Sequence, residues 1–375
     1  MKKLGFGLMR LPLSDPKDQS RVDLEQVCAM ADTFLDRGFT YFDTAYVYHK
    51  GESERVAKEA IVKRHDRNSF TLATKMPIFS FKSEDGPEKL DTYFAEQLEK
   101  CGVDYFDYYL LHALDAESYE TVQRLDAFGW GVREKAAGRI KRLGFSFHDK
   151  AEVLDRILTD HPETDFVQLQ INYLDWEDER VQSRKCYETA RRHGKEIVIM
   201  EPVKGGKLAN LPEEAAALLR EAHPDWSPAS WAIRFAASLE GVLAVLSGMS
   251  NQDHMEDNSA YMRDFQPLNA REIGLLEQAA KILSALPAIP CTACRYCVDG
   301  CPVSIPIPEY FALYNEDQMN LREGRGVNKE AYQKLAANGG LASACVGCKQ
   351  CEHACPQHLN VTNWLERVAK TYEGQ

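Results

Sequence analysis

The chain alternates between short apolar runs and longer amphipathic stretches from its N-terminus to about residue 260. The apolar runs have the length of β-strands, and eight strands are predicted: Leu4–Leu8, Phe39–Phe42, Phe70–Thr74, Phe106–Leu111, Ile140–Phe145, Phe166–Ile171, Glu196–Met200 and Val242–Leu246. Helical periodicity lies between them, at Leu24–Asp36, Glu52–Arg64, Lys89–Lys100, Tyr119–Ala136, Ala151–Leu158, Arg180–Arg192 and Pro228–Leu239. This alternation is typical of βαβ units that form a parallel sheet.

Eight strand–helix repeats within about 250 residues favour an α/β fold of the closed (β/α)8 TIM barrel type. The competing fold is an open, doubly wound sheet, which usually carries a phosphate-binding turn with three glycines after its first strand. The corresponding segment here, Gly5–Arg10, has only two glycines. The barrel is therefore the preferred prediction.

A second, smaller domain is predicted after the barrel. Residues 270–286 have the pattern of a final helix, and Leu286–Pro290 is expected to be a linker because two prolines stop a helix and stiffen the chain. The predicted domains are thus a barrel of residues 1–286 and a mainly α-helical, ferredoxin-like domain of residues 287–375. Pro308–Asn315 and Lys329–Ala336 are its predicted helices.

Eight of the eleven cysteines repeat one spacing twice near the C-terminus. Each copy has three cysteines at two-residue gaps and a fourth cysteine that precedes a proline, which is typical of proteins with two [4Fe-4S] clusters. In such proteins the fourth cysteine ligates the other cluster. The expected ligands are Cys291, Cys294, Cys297 and Cys355 for one cluster, and Cys345, Cys348, Cys351 and Cys301 for the other. Zinc is the alternative, but four-cysteine zinc sites usually pair two separate C-x2-C hooks.

Composition and charge narrow the function classes. The formal net charge is −12, which repels phosphate backbones and makes nucleic acid an unexpected partner. Apolar residues make up 44% of the chain and charged residues 27%, as in ordinary globular proteins. The sequence has neither a run long enough for a transmembrane helix nor the pattern of a signal peptide, so no membrane association and a cytoplasmic location are expected.

Four polar residues follow the predicted second, third and fourth strands, at the rim where barrels build active sites: Asp43, Tyr48, Lys75 and His112. A tyrosine needs help to move a proton at neutral pH, because its pKa is near 10. A nearby ammonium stabilises the phenolate, a carboxylate fixes the ammonium, and a histidine can bind the carbonyl oxygen that receives the proton. Each residue alone could have a structural role, but together they predict a catalytic tetrad.

The segments that carry these residues resemble the aldo/keto reductase family. They are Phe42–Tyr48, Ala73–Lys75, Tyr109–His112 and Gly144–Ser146. The whole chain is similar to the branch of that family with a C-terminal iron–sulfur domain. The resemblance implies hydride transfer from NAD(P)H to an aldehyde or ketone, with Tyr48 as the general acid, Lys75 and Asp43 tuning it, and His112 orienting the carbonyl.

The resemblance also implies cofactor contacts. Ser146 and Gln170 would hold the nicotinamide carboxamide, although Phe147 stands where the family has asparagine and Met200 where it often has an aromatic residue. Further contacts are expected at Lys204, Gly205, Gly248, Ser250, Asn251, Asp257 and Asn258. Lys204, Gly205 and the Gly248–Asn251 turn follow strands seven and eight, where barrels bind phosphate, so FMN is a further candidate cofactor.

The sequence therefore predicts an oxidoreductase that reduces a small carbonyl or activated unsaturated compound. A hydride carries two electrons and a [4Fe-4S] cluster passes one at a time, so a flavin would be the converter if the clusters take part. A ferredoxin or another electron carrier is then an expected partner. Two alternatives stay open: a plain reductase with structural clusters, and an electron-transfer or redox-sensing module whose barrel is a docking body.

Overall fold

The computed structural model describes residues 2–16, 18–286, 288–322 and 324–374. Eight parallel strands form one closed barrel in which each strand pairs with its neighbours in sequence and β8 pairs with β1. The strands are β1 (Leu4–Gly7), β2 (Tyr41–Asp43), β3 (Thr71–Met76), β4 (Phe106–Leu114), β5 (Ile140–Phe147), β6 (Phe166–Gln170), β7 (Glu196–Met200) and β8 (Val242–Ser247). The prediction of a (β/α)8 barrel is confirmed.

Alternating side chains of these strands fill the barrel interior. One buried cluster joins residues from six strands: Tyr41, Ala73, Tyr108, Leu110, Phe166, Val198, Ala244 and Leu246. Phe166 of this cluster packs directly against Gly144 on β5. A Cβ at Gly144 would lie 2.5 Å from the Phe166 carbonyl oxygen and 2.7 Å from the Phe166 ring, so only glycine leaves enough space there. The interior is therefore a packed core rather than a channel.

The helices of the barrel part follow the strands in the expected order. Within the described residues they are α1 (Leu24–Asp36), α2 (Ser53–Ala57), α3 (Glu88–Cys101), α4 (Ala116–Arg124), α5 (Ala127–Ala136), α6 (Ala151–Asp160), α7 (Ser183–Arg192), α8 (Glu213–Ala222), α9 (Pro228–Ser238), α10 (Gln252–Arg263) and α11 (Ala270–Ser284). None of the helices in the described residues is both long and apolar enough to cross a membrane.

Two helix predictions were wrong in detail. The single helix predicted over Tyr119–Ala136 is two helices, because Asp126 adopts a left-handed conformation (φ 49°) that interrupts the hydrogen-bond ladder. The stretch Glu52–Arg64 begins as α2 but continues as a π-turn over Lys58–Val62, so it is not one regular α-helix. Local backbone choices of this kind leave little trace in hydrophobic periodicity.

The C-terminal part is mainly helical, as predicted. It contains α12 (Ile307–Arg322), α13 (Lys329–Ala336), α14 (Gln350–His353) and α15 (Val361–Tyr372). The last two of these had not been predicted. Its own core is built of aromatic and aliphatic side chains that include Tyr310, Phe311, Tyr332, Leu365 and Tyr372. A small core of this size is the usual setting for metal centres that add stability.

The chain forms two compact units. One contains Met1–Val203 and Leu219–Leu276, and the other contains Lys204–Leu218 and Glu277–Gln375. The short segment after β7 thus belongs with the C-terminal residues, a grouping that sequence order does not suggest. The predicted boundary between residues 286 and 287 stays a prediction, and Pro287 of the predicted linker lies outside the described residues.

The crowding at Gly144 gives a test of the barrel core. Gly144→Ala should lower the free energy of unfolding by about 1–3 kcal/mol, because the new methyl group overlaps the Phe166 backbone and ring. Gly274→Ala is the control. Apart from its own helix backbone, no described heavy atom lies within 4 Å of a Cβ at that position, so the change should stabilise by about 0.5–1 kcal/mol. Urea unfolding of both variants measures the difference, and equal stability of Gly144→Ala and the parent would contradict the packing described.

Candidate active site and cysteine cavities

Lys75, at the end of β3, is the centre of the polar group inside the barrel. Its side chain is fully buried, and Nζ donates to Asp43 Oδ1 at 2.5 Å, to the Thr44 carbonyl oxygen at 2.7 Å and to the Tyr48 hydroxyl at 3.3 Å. All three ammonium hydrogens therefore have an acceptor. Burial lowers the pKa of Lys75, while the carboxylates of Asp43 and Glu54 act in the opposite direction.

Tyr48 lies in the turn that follows β2. The turn, Tyr48–Gly51, places His49 and Lys50 at positive φ, and the His49 ring fixes it by bridging the Leu11 N–H (3.2 Å) and the Gln19 carbonyl (2.9 Å). Burial raises the pKa of the Tyr48 phenol well above its usual value, with a further contribution from the Asp43 carboxylate. The hydroxyl therefore keeps its proton at neutral pH and is available as an acid.

His112, at the end of β4, faces the phenol ring of Tyr48. The ring centroids of His112 and Tyr48 are 6.0 Å apart, and Phe79 covers the histidine from another side at 5.4 Å. Burial lowers the pKa of His112 well below its usual value, and Lys75 adds to this effect. A neutral imidazole and a protonated phenol each offer one hydrogen-bond donor, so together they can hold a carbonyl oxygen. The structure thus brings together the four residues of the predicted tetrad.

A second polar group behind β3 had not been predicted. Glu54 of α2 is fully buried, and its Oε1 accepts hydrogen bonds from Thr74 Oγ1 (2.6 Å) and Gln97 Nε2 (2.8 Å). Gln97 also donates to the Lys75 carbonyl (3.0 Å) and accepts from Tyr109 (2.5 Å). These bonds hold the end of β3 in place. The only signal in the sequence is polar residues on the buried faces of two predicted helices.

The two side chains predicted to hold a carboxamide, Ser146 and Gln170, lie on neighbouring strands. Gln170 donates to Asp175 Oδ2 at 2.9 Å. Gln168 is the residue paired in register with Ser146, and its buried Oε1 has no hydrogen-bond partner among the described residues. Ser146 Oγ accepts from the Ala113 N–H at 2.7 Å and keeps its own hydroxyl hydrogen. An acceptor without a partner and a nearby hydroxyl donor fit an amide group, so Gln168 is a further candidate, and the cofactor role of Gln170 stays a prediction.

The turn after β8 contains three of the predicted cofactor contacts, Gly248, Ser250 and Asn251. Asn251 caps α10, because its Oδ1 accepts a hydrogen bond from the His254 N–H at 2.8 Å. A Cβ at Gly248 would lie 3.1 Å from Cβ and Cδ of Arg10, so the aliphatic part of this side chain packs closely against the turn. The Arg10 guanidinium lies 3.7 Å from the Glu201 carboxylate, and the sequence had not singled out this residue.

The other two predicted contacts of this region, Asp257 and Asn258, hold α10 in place. Asp257 Oδ2 accepts from Ser227 Oγ at 2.6 Å. Asn258 is buried, donates to Ser247 Oγ at 2.9 Å and accepts from Tyr261 at 2.7 Å. These bonds are internal to the fold, and a cofactor role for the two residues stays a prediction.

Lys204 and Gly205, the last predicted cofactor contacts, belong to the C-terminal unit. Gly205 has φ 63°, and a Cβ there would lie only 2.4 Å from the Thr292 carbonyl oxygen. The glycine therefore permits a backbone-to-backbone approach to the residue that follows Cys291. Lys204 is buried in the same turn. Their role with a cofactor phosphate stays a prediction.

The eight clustered cysteines line two separate cavities. The first cysteine cavity contains Cys291, Cys294, Cys297 and Cys355, and the second contains Cys301, Cys345, Cys348 and Cys351. Each cavity thus combines three cysteines of one motif with the last cysteine of the other motif. This is the grouping expected from the spacing, and the remaining lining residues are mostly apolar.

The two motifs also share one backbone shape. Matched positions in the two motifs adopt positive φ, which side-chain-bearing residues rarely do. The matched pairs are Ala293 (52°) and Gly347 (69°), Arg295 (69°) and Lys349 (61°), and Ser304 (53°) and His358 (49°). Changes of handedness between neighbouring residues turn their N–H groups toward one concave side, an arrangement that suits an anionic cluster.

The chemistry of the cavities fits iron–sulfur clusters. Backbone N–H groups of Ala293 and Ile305 lie 3.4 Å from the sulfurs of Cys291 and Cys301, and such contacts stabilise cluster ligands. Burial, and secondarily the sulfur of Cys345, raises the pKa of Cys351 to about 11, so thiolates here need a cationic partner. In the described part of the chain, no three His, Cys, Asp or Glu side chains are placed to hold a single metal ion.

Two family models match the chain. The aldo/keto reductase family model covers residues 3–281, and the 4Fe-4S dicluster domain model covers residues 290–361. The predicted resemblance is therefore confirmed for both parts, and the C-terminal part carries an iron–sulfur domain.

Individual proteins agree with the family models. Aldo-keto reductase str7 of Strobilurus tenacellus is 29% identical over 56% of this chain and 60% of its own length, and probable aldo-keto reductase 1 of Glycine max is 30% identical over 47% and 49%. The chain thus spans about half the length of these curated relatives. Solved structures with the same fold include aldo-keto reductase AKR11C1 from Bacillus halodurans in its holo form (TM-score 0.57, 23% identity, 74% of this chain and 91% of that one). An aldo-keto reductase from Klebsiella pneumoniae in complex with NADPH matches with TM-score 0.56 at 20% identity, over 74% and 90%.

The grouping of cysteines can be tested by serine substitution. If each cavity holds one cluster, Cys291→Ser and Cys355→Ser should remove the same cluster, and Cys301→Ser and Cys345→Ser should remove the other. Iron content should fall by about half in each variant, and low-temperature EPR of the dithionite-reduced protein should show one residual signal per pair. Identical residual signals for Cys291→Ser and Cys301→Ser would show that each motif ligates its own cluster instead.

Proposed function

Because the chain belongs to the aldo/keto reductase family, we propose that its barrel reduces the carbonyl group of a small aldehyde or ketone with NAD(P)H. One observation carries this proposal: the Lys75 ammonium contacts both the Asp43 carboxylate (2.5 Å) and the Tyr48 hydroxyl (3.3 Å) inside the barrel rim. A phenol beside a fixed ammonium is an acid whose conjugate base is stabilised where it forms. Such a group is what carbonyl reduction requires.

The protein's own part in the reaction is proton transfer and orientation. The carbonyl oxygen accepts hydrogen bonds from Tyr48 and from neutral His112, which makes the carbonyl carbon a better hydride acceptor. The chemistry that a bound nicotinamide would supply is the hydride for that carbon. Tyr48 then gives its proton to the oxygen, and Lys75 stabilises the phenolate that remains. Asp43 keeps Lys75 charged during this step, and solvent restores the proton.

The cofactor contacts proposed here start from the orphaned atoms of the rim. Gln168 Oε1 would accept from the carboxamide NH2 and Ser146 Oγ would donate to its oxygen. The cofactor phosphates would lie near Arg10 and the N-terminus of α10, because a guanidinium and the N–H groups of a helix N-terminus both attract anions. Arg10 lies 3.7 Å from the Glu201 carboxylate, so it would have to exchange that partner for a phosphate. The relative solved with NADPH supports this choice of cofactor.

The two cysteine cavities would hold two [4Fe-4S] clusters with exchanged fourth ligands. The matched backbone conformations of the two motifs support this assignment. Clusters of this type pass single electrons, so the C-terminal unit would exchange electrons with a ferredoxin or a similar carrier. FMN would be needed only if these electrons enter the barrel chemistry, and its presence stays a prediction.

Replacement of the proposed acid tests the reaction. Tyr48→Phe should lower kcat for NADPH-dependent reduction of small aldehydes by about 100- to 10,000-fold, because it removes the proton donor and keeps the ring that faces His112. Tyr46→Phe is the control: it removes a hydroxyl two residues earlier that donates to Glu96 outside the proposed tetrad. The loss of NADPH absorbance measures the turnover of both variants. Wild-type turnover in Tyr48→Phe would contradict the assignment of Tyr48 as the general acid.

The charge of Glu54 gives a pH prediction. Lys75 must stay an ammonium, and the groups that act on it are Asp43, Glu54, Tyr48 and His112. Glu54→Gln keeps an acceptor for Thr74 and Gln97 but removes a carboxylate that raises the pKa of Lys75. The alkaline decline of kcat should therefore move to lower pH.

The matched control for that pH profile is Glu96→Gln. Its carboxylate pairs with Lys100 at 2.8 Å near the surface, so the profile should not change. A Glu54→Gln profile that superimposes on the parent would mean that Glu54 acts only through its hydrogen bonds.

A further inference from the structure

The segment Lys204–Ala209, which continues the chain after β7, contacts the start of the first cysteine motif within the C-terminal unit. The contact at Gly205 is between backbones, since its missing Cβ leaves just enough space for Thr292. Thr292 is buried and directly follows Cys291. The segment is therefore fixed against the first cysteine cavity by close packing.

Lys207 places a positive charge at this contact. Its Nζ donates to the carbonyl oxygen of Ile289, which is fully buried. The same carbonyl accepts from Asn315 Nδ2 at 2.9 Å, and the Ile289 N–H donates to Asn315 Oδ1 at 2.7 Å. The Ile289 backbone is thus held by Lys207 and by Asn315. Ile289 precedes Cys291 by two residues, a span of at most about 7 Å.

The positive charge lies close to the sulfur of Cys291. The hydrogen bond from Lys207 to the Ile289 carbonyl fixes the ammonium near this residue, where it interacts favourably with negative charge on the sulfur.

Each cysteine cavity is also lined by a basic residue at the matched motif position. In the first cavity this is Arg295, whose charge is paired with Glu309, and in the second it is Lys349, which is exposed to solvent. Lys207 is therefore an additional positive charge near the first cavity. Water screens the exposed charge of Lys349 more strongly than it screens a half-buried one.

We infer that Lys207 raises the reduction potential of the cluster in the first cysteine cavity and leaves the other cluster unaffected. A one-electron reduction adds one negative charge to a cluster, and a fixed ammonium close to its ligands stabilises that charge. Lys207 would thus make the cluster in the first cysteine cavity the one that is reduced first. The inference depends on the two proposed clusters but not on the carbonyl reduction proposed for the barrel.

The test is a redox titration of the full-length protein with dithionite, followed by EPR. Lys207→Gln keeps a hydrogen-bond donor for the Ile289 carbonyl but removes the charge, so the midpoint potential of one signal should fall while the other stays. Lys207→Arg keeps the charge and should leave both signals at the parent potentials. The signal that responds should be the one that Cys291→Ser abolishes.

Several outcomes would overturn the inference. They are unchanged potentials in Lys207→Gln, an equal shift of both signals, or a response confined to the signal that survives Cys291→Ser. Lys349→Met is the matched control and should not move the signal that responds to Lys207. If Lys207→Gln loses iron, Lys207→Met and Lys207→Arg are compared: loss in Lys207→Arg as well assigns a packing role and contradicts the inference. The titration needs no turnover, so an inactive barrel would leave its result unchanged.

Discussion

The site depends on one ammonium group that the fold buries inside a barrel. Lys75 is fully shielded from solvent, and an unpaired charge in such a place would be too costly to keep. Its three hydrogens are satisfied by groups from β2 and from the chain that follows it: the Asp43 carboxylate, the Thr44 carbonyl and the Tyr48 hydroxyl. Because Lys75 must be paired, the positions of the Tyr48 hydroxyl, the Asp43 carboxylate and the chain segments that carry them are tightly constrained. The Glu54 and Gln97 side chains extend this support behind β3.

The sequence was sufficient for the parts that follow from regular spacing. Strand β7 and helix α1 have the predicted bounds, because β7 is, after Glu196, a continuous apolar run buried in the barrel wall and α1 has a period-3.6 pattern with one buried face. The tetrad was found because residues at the ends of neighbouring parallel strands must meet at one rim. The pairing of Cys355 with the first motif's cavity likewise follows from a repeated spacing, and its ligand role awaits the serine variants.

Other features depend on tertiary context that spacing does not encode. Gln168 and Gln170 lie on the same side of β6, and only the hydrogen bond from Gln170 to Asp175 tells them apart. The break at Asp126 is a local backbone choice inside a continuous amphipathic pattern. The assignment of Lys204–Leu218 to the C-terminal unit rests on contacts with residues more than eighty positions later. Arg10 and Glu54 were missed because single charged residues carry no periodic signal.

In the proposed function the barrel transfers a hydride and a proton, and the C-terminal unit transfers single electrons. The hydride would pass directly from the nicotinamide to the carbonyl carbon. NADPH that carries deuterium at both C4 positions tests this step, with mass spectrometry of the alcohol formed from a small aldehyde. Direct transfer predicts one deuterium on the product's carbinol carbon. Product that carries solvent hydrogen instead would contradict direct transfer and would point to a flavin or to the clusters as the immediate electron source.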